Sequence, residues 1–320
     1  MRHLLSVLSL LAAAVLAAAA LAGHQVDALL HDEEPIREIA GDIPAQSDFG
    51  EAAGDLVVEE VDEQLPVSLP GGIDGAVRST VASMLDSAET DAAWDEVLQD
   101  TRGDVAVRLE RIFADGGGAQ DMDLRVDLSP VVEAMTSQLR EDLSSGLGWL
   151  PGVDESSFDG LAPEVVVDLD AGLDEDADPY TWATVAQLSG FWPAYALGSA
   201  VLLVLGAVVG RGRIRWIGLT SAGLLTAALG LWFGLVPASP QFDRPPELSE
   251  AAAAILGHVE TGFRQWAQPA WWIFLGTGAV VVVVGLLGAA LSPGRGSERR
   301  RRRRTAQVPT DPEHAHLARV

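Results

Sequence analysis

The sequence predicts a mainly α membrane protein, with four transmembrane helices and an exported α-rich domain that contains a small two-stranded β element. Three observations predict this. Four apolar blocks, Leu4 to Ala22, Phe191 to Gly210, Trp216 to Val236 and Ala270 to Leu291, contain no Asp, Glu, Lys or Arg. Each reaches or nears the roughly 20 residues that cross a hydrocarbon core about 30 Å thick. The acidic residues collect between the first two blocks, whereas arginine collects at the block ends.

Residues 1–23 form the first predicted span. Ala20 and Ala22 offer an A-x-A cleavage site before Gly23, as a secretory signal peptide would. The apolar run of 19 residues, Leu4 to Ala22, is longer than a usual signal core, which favours an uncleaved anchor. Either reading exports residues 24–190.

This exported domain holds 39 Asp and Glu against 7 Arg, a balance of −32 within a chain of net charge −25. Lysine and cysteine are absent from the whole chain, so no disulfide supports the domain and a packed core or a ligand has to. Helical spacing places Phe49, Ala53, Leu56, Val57, Val61 and Leu65 on one face, then Ile73, Val77, Val81, Met84 and Leu85 on another. A third helix carries Trp94, Val97, Leu98, Val105, Leu109, Ile112 and Phe113 across Gly103. "MDLRVDL" alternates as a half-buried strand through Met122, Leu124, Val126 and Leu128, and Val165 to Leu169 makes a second strand. Between them Ser129 is placed to cap a helix with Pro130 in its first turn. Residues 177–190 are a short lead into the second span.

Residues 191–210 and 216–236 are the next two spans, joined by a link holding Arg211, Arg213 and Arg215. Residues 237–269 form an outer loop with an amphipathic helix, its face lined by Leu248, Ala252, Ile255, Val259, Phe263 and Trp266. That helix either lies on the membrane surface or faces a core under the domain, and the second is preferred. Residues 270–291 are the last span and 292–320 a basic tail with Arg295 and the run Arg299, Arg300, Arg301, Arg302, Arg303 and Arg304. These two arginine groups and Arg2 fall on one side if the first block is a helix. Short cytoplasmic loops retain positive charge, so both termini are expected in the cytoplasm and residues 24–190 outside it. Trp192, Trp232, Trp271 and Trp272 mark the outer headgroup level and Trp216 the inner one.

Chemistry is sparse. The six histidines, His3, His24, His31, His258, His314 and His316, have no G-x-S-x-G serine to serve, and "GGGAQD" lacks the lysine of a phosphate loop. Asp168, Asp170, Asp174 and Asp176, with Glu175 and Asp178, supply the oxygen ligands that Ca²⁺ prefers, though without the glycine and glutamate positions of an EF-hand. A solvated acidic spacer is the preferred reading of those residues, and no other cofactor is expected. Charge-free spans disfavour ion-coupled transport. They offer packing instead, through Gly206 and Gly210 in the second span and Ala222, Thr226 and Gly230 in the third.

The order of elements resembles a family of actinobacterial integral membrane proteins of uncharacterised function. The residues that carry the resemblance are "VDALLHDEEPIREIAGDIPAQSDFGEAAGDLVVEEV", "AAWDEVLQDTRGDVAVRLERIF" and "VDLSPVVEAM", of which "VDLSPVV" is the most specific. One departure is Gly23-His24, where relatives often carry an aromatic residue. The resemblance implies architecture and nothing chemical.

The expectation is a cell-envelope protein that presents its acidic domain for binding, sensing or scaffolding, without catalysis. An oligomeric channel or transporter component is the alternative. Expected partners are the lipid bilayer and either an envelope protein or a second copy. Nucleic acid is not expected, because the arginine run has neither aromatic interleaving nor a folded basic module.

Overall fold

The computed structural model describes residues 2–46, 85, 87–115, 125–131, 133–134, 137, 166–168, 178–210, 212–240 and 250–292. Its elements in chain order are α1 (Arg2–His31), α2 (Glu33–Ala40), α3 (Ala88–Asp115), β1 (Arg125–Asp127), β2 (Val166–Asp168), α4 (Pro179–Ser189), α5 (Trp192–Val209), α6 (Arg213–Leu235) and α7 (Glu250–Leu291). The chain is mainly helical, and α1, α5, α6 and α7 are long and apolar enough to cross a membrane. The first and second predicted helical faces, Phe49 to Leu65 and Ile73 to Met84, lie outside the described residues.

The four long helices pack as a row in the order α5, α1, α6, α7, and α5 hardly meets α6. Contacts along the row set the directions. Ser6 Oγ donates to the Gly206 carbonyl at 2.6 Å, Ser199 Oγ donates to the Ala13 carbonyl at 2.8 Å, and Gly23 sits against Trp192, so α1 and α5 are antiparallel. Gly218 faces Leu10 while Leu229 packs near Ala18, so α6 runs parallel to α1. Gly288 lies on the Trp216 ring and Gly230 on the Leu275 backbone, which makes α7 antiparallel to α6. The first residues of α1, the last of α5, the first of α6 and the last of α7 therefore share one end. This is the arginine end.

Three of the sequence boundaries move. The first span does not stop at residue 23, because α1 continues unbroken to His31. Arg213 and Arg215 are not in a loop but in the first turn of α6; the turn before it uses Gly212 at φ 63°, a left-handed conformation that suits glycine. The amphipathic helix of the 237–269 loop and the last span are one helix of 42 residues, with Pro269 inside it. Proline removes one backbone donor, yet such a position is tolerated where neighbouring groups take up the freed polar atoms. The carbonyl left without its helical donor is that of Gln265; close by, two cross-helix bonds tie the segment to its neighbours, Gln25 Nε2 donating to the Ala267 carbonyl at 2.9 Å and Gln268 Nε2 to the Gly234 carbonyl of α6 at 3.0 Å.

At 1.5 Å per residue α1 is about 45 Å long and α7 about 63 Å, both longer than a hydrocarbon core of about 30 Å. Their excess builds the domain. Its core joins Ile39, Ala40 and Ile43 after α1, Trp94, Val97 and Leu98 of α3, and Val131, with Val259, Phe263 and Trp266 of α7 against them. Trp94 Nε1 donates to the Ala40 carbonyl at 2.8 Å, and the Ile39 backbone rests directly on Gly262 of α7. The face of Val259, Phe263 and Trp266 thus packs into a core.

Residues 177–190 are more than a lead. Asp178 caps α4, its Oδ1 accepting from the Tyr180 N–H at 3.1 Å and its Oδ2 from Thr181 Oγ1 at 3.0 Å, with Pro179 at the helix start. Ala183 and Ala186 then pack with Leu109 and Ile112 of α3 and Leu30 of α1. The β element is one antiparallel pair of three-residue strands, with Val126 opposite Val167. After β1 the Ser129 N–H is taken by Asp127 Oδ1 at 2.9 Å, so the cap falls to Asp127 and Ser129 Oγ has no partner among the described residues.

Candidate functional site

The joint between the helical row and the domain concentrates the polar chemistry. One face of the last two turns of α1 carries His24, Asp27 and His31 at helical spacing, and Gln25 points to a neighbouring face. Both ends of the Gln25 amide are engaged by α7: besides donating to Ala267, its Oε1 accepts from Trp271 Nε1 at 2.8 Å. Asp27 Oδ2 accepts from Trp192 Nε1 at 3.2 Å, while Asp27 Oδ1 lies 3.0 Å from His31 Nδ1. The His24 ring packs on Trp192 with centroids 4.7 Å apart. Arg102 of α3 donates to the Leu30 carbonyl at 2.9 Å, near the end of α1. One helix therefore gathers α3, α5 and α7.

Trp271 is only 2 % exposed and stacks on Phe233 at 4.5 Å. It is an interior residue, not the headgroup marker that its position in the sequence predicts, because its indole N–H finds Gln25. Trp232 and Trp272 are 54 % and 41 % exposed.

Above this joint α1, α3 and α4 enclose a groove of about 160 Å³, floored by Leu30, Leu109, Ala183 and Ala186 and rimmed by His31, Glu110 and Gln187. Pockets for small-molecule ligands start near about 300 Å³. The groove fits a few waters or a short side chain. Farther out, Arg37 Nε and Nη2 reach the two oxygens of Asp95 at 2.8 Å each, a bidentate clamp between α2 and α3. The hydrogen bond from Arg37 holds the Asp95 carboxyl below the usual carboxylate range.

The residues singled out in the sequence fall in different places. Gly206 packs on Leu10 and the Ser6 carbonyl, and Gly210 on Ser6 Oγ, so both serve the contact with α1. Ala222 is buried and Thr226 Oγ1 donates to its carbonyl at 3.0 Å. Gly230 meets the Leu275 backbone of α7. Arg213 is exposed, and the Arg215 guanidinium lies 4.6 Å from the centre of the Trp216 ring. Asp168 ends β2; Asp170, Asp174, Asp176, Arg211 and Arg299 to Arg304 lie outside the described residues. Among the described residues no three His, Asp or Glu side chains gather as metal ligands.

Sequence reading missed Gly223, Gly262, Gly278 and Gly285, each of which presses on the backbone of a neighbouring element. A signal was there: Gly223 and Gly230 are seven residues apart, as are Gly278 and Gly285; Gly223 and Gly278 meet between α6 and α7, with Gly230 on Leu275 and Gly285 on Thr220. It also missed Gln25, whose partners lie more than 240 residues away.

No family model matches this chain, and no curated protein or solved structure is significantly similar to it.

Proposed function

We propose that the chain is a multi-pass membrane protein of the cell envelope that presents an acidic extracytoplasmic domain for binding, sensing or scaffolding, without catalysis. The observation that carries this is the continuity of α1 and α7, which run unbroken from the arginine end into the domain core. A domain held by two such helices has little freedom relative to the membrane. Rigid presentation suits a partner at fixed height.

Outward apolar side chains support the membrane placement: Leu4 is 77 % exposed, Leu197 68 %, Val208 73 % and Leu291 82 %. Each would cost about 1.5–3 kcal/mol in water relative to an apolar surround. Arg213 and Arg215 at the end away from the domain, and the run of arginines that follows α7 in the sequence, support cytoplasmic termini. Burial of Leu10, Ala13, Ala14 and Ala18 supports an uncleaved anchor, because α5 packs on α1 and hardly at all on α6. The resemblance to the actinobacterial family belongs to this proposal through layout alone.

A channel or transporter component is the second reading, and the open row favours it to the extent that α5 has a free flank. Against it stands the polar inventory of the spans. Ser9, Thr220, Ser221, Thr226 and Thr277 all donate to carbonyls one turn back in their own helices, while Ser6 and Ser199 close on the neighbouring helix. Hydroxyls so engaged keep acceptor lone pairs but offer no free donor to a hydrated path. Copurification from native membranes after mild crosslinking tests the choice. A distinct envelope protein in near-equal amount supports presentation to a partner, and a pure homo-oligomer with ion flux in liposomes would replace it with the channel.

A further inference from the structure

We infer that α4 is an interfacial helix whose outer face, formed by Trp182, Val185 and Leu188, contacts the headgroup layer of the outer leaflet and seats the base of the acidic domain on the bilayer. The inference rests on the membrane placement proposed above and goes beyond it, because it assigns a lipid-contacting surface to a helix outside the four spans. That face is what remains once the packing of α4 is satisfied. Ala183 and Ala186 lie against Leu109 and Ile112 of α3 and Leu30 of α1, and Ser189 is buried beside Gly23. Gln187 turns to the groove that His31 and Glu110 rim. Away from both, Trp182, Val185 and Leu188 are 42 % to 56 % exposed. Apolar side chains gathered on a surface mark a contact.

Continuity with α5 identifies lipid as what covers them. Trp182, Val185 and Leu188 lead at steps of three through the exposed Phe191, and exposed apolar residues continue at steps of three or four from Ala194 and Leu197 to Val208. The junction does not interrupt this ridge, since the Phe191 carbonyl accepts from the Ala194 and Tyr195 N–H groups at 2.9 Å and 3.2 Å. At 1.5 Å per residue the ridge from Trp182 to Val208 is about 39 Å long. That exceeds a hydrocarbon core of about 30 Å and approaches the roughly 40–45 Å of a bilayer with its headgroups.

Composition follows depth along the same ridge. It is aliphatic from Val208 to Leu197 and aromatic at Phe191 and Trp182, toward the water boundary that amphipathic rings prefer. The Trp182 indole N–H has no protein partner among the described residues, so it is free for water or a headgroup oxygen. Counting about 20 residues back from Val209 sets the outer hydrocarbon edge near Gly190, which leaves Leu188 and Val185 in the headgroup layer and Trp182 at its outer margin. Charge agrees. From Pro179 to Gly210 there is no Asp, Glu, Arg, Lys or His, within a domain of balance −32 up to residue 190. Acidic surface is repelled by an anionic leaflet, and an uncharged face is not.

The test uses the full cysteine-free chain in vesicles of phosphatidylcholine and phosphatidylglycerol, with a nitroxide on single cysteines at Val185→Cys, Leu188→Cys and Gln187→Cys. Val201→Cys in α5 and Asp104→Cys in α3 are the references for lipid and water. Collisions with oxygen, which concentrates in lipid, are compared with collisions with a water-soluble nickel chelate. The oxygen-to-nickel ratio at Val185→Cys and Leu188→Cys is expected to fall between the two references and to be severalfold above that at Gln187→Cys. A ratio at either position no higher than at Gln187→Cys would overturn the contact. Few collisions with both reagents would also overturn it, replacing lipid by a second copy or a partner protein as the cover. Failure of the membrane reading itself is distinguishable, because Val201→Cys would then be as open to nickel as Asp104→Cys.

Discussion

Gln25 is the single polar side chain on which the joint turns. Its amide donates to the Ala267 carbonyl and accepts from the Trp271 indole, so both of its ends are used by one neighbouring helix. Gln25→Leu leaves the buried Trp271 N–H without an acceptor, and the expected cost is about 1–3 kcal/mol, measurable by denaturant or thermal unfolding in detergent. A loss below the error of that measurement would show that water replaces the amide. Asp95 gives a pH dependence. Its folded pKa lies below the ordinary value, so its contribution is complete above the unfolded pKa of about 3.9 and fades as pH falls through the folded one. Thermal unfolding measured from neutral to strongly acidic pH should show wild type losing more than Asp95→Asn, the difference appearing only at and below about pH 4. Parallel curves would show that the clamp adds nothing to stability. Partnerships of this kind are hard to read in sequence. A lone Gln after an alanine-rich span has many conceivable partners, and the one it has comes from the opposite end of the chain.

Between elements, glycine decides how closely α6 and α7 approach. A Cβ on Gly278 would lie 2.5 Å from the Ala227 nitrogen and 2.8 Å from the Gly223 oxygen, whereas one on Gly276 would meet nothing within 4 Å. Gly278→Ala is therefore expected to destabilise the pair by about 1–3 kcal/mol, and Gly276→Ala to be neutral or slightly stabilising. Thermal unfolding in detergent compares them. The two residues share one helix and one substitution, so equal effects would place the α6–α7 contact elsewhere. This contact was partly legible. The apolar blocks announce four long helices because hydrophobic length is a property of composition, and α5 and α6 begin and end within three residues of their predicted limits. Where helices pass beyond the apolar block, composition turns polar and says little: α1 continues for nine residues past Ala22, and α7 starts at Glu250, well before Ala270. Pro269 reads as a boundary in the sequence, yet the helix continues through it, with Gln25 bonded to the Ala267 carbonyl and Gln268 bonded to the Gly234 carbonyl of α6.

For the whole molecule, the row order makes α1 a structural member and not only a leader. Helix α5 has α1 as its main neighbour, and α1 also carries the hydrogen bonds to α3 and α7 at the joint. The proposed orientation rests on the positions of the arginines and is testable because the chain has no cysteine. Asp104 is exposed on α3, so Asp104→Cys should react with an impermeant thiol reagent on intact cells, and Ser297→Cys should not. Ser87, though nearer the domain end of that helix, is a poorer position because its Oγ accepts from the Thr90 N–H. Labelling of Ser297→Cys alone would invert the topology. The whole arrangement depends most on α1 staying attached. An intact-mass spectrum of the chain purified from membranes measures that directly: the packing of α5 on α1 predicts a mass that includes residues 1–22, and a mature chain that begins at Gly23 would contradict it.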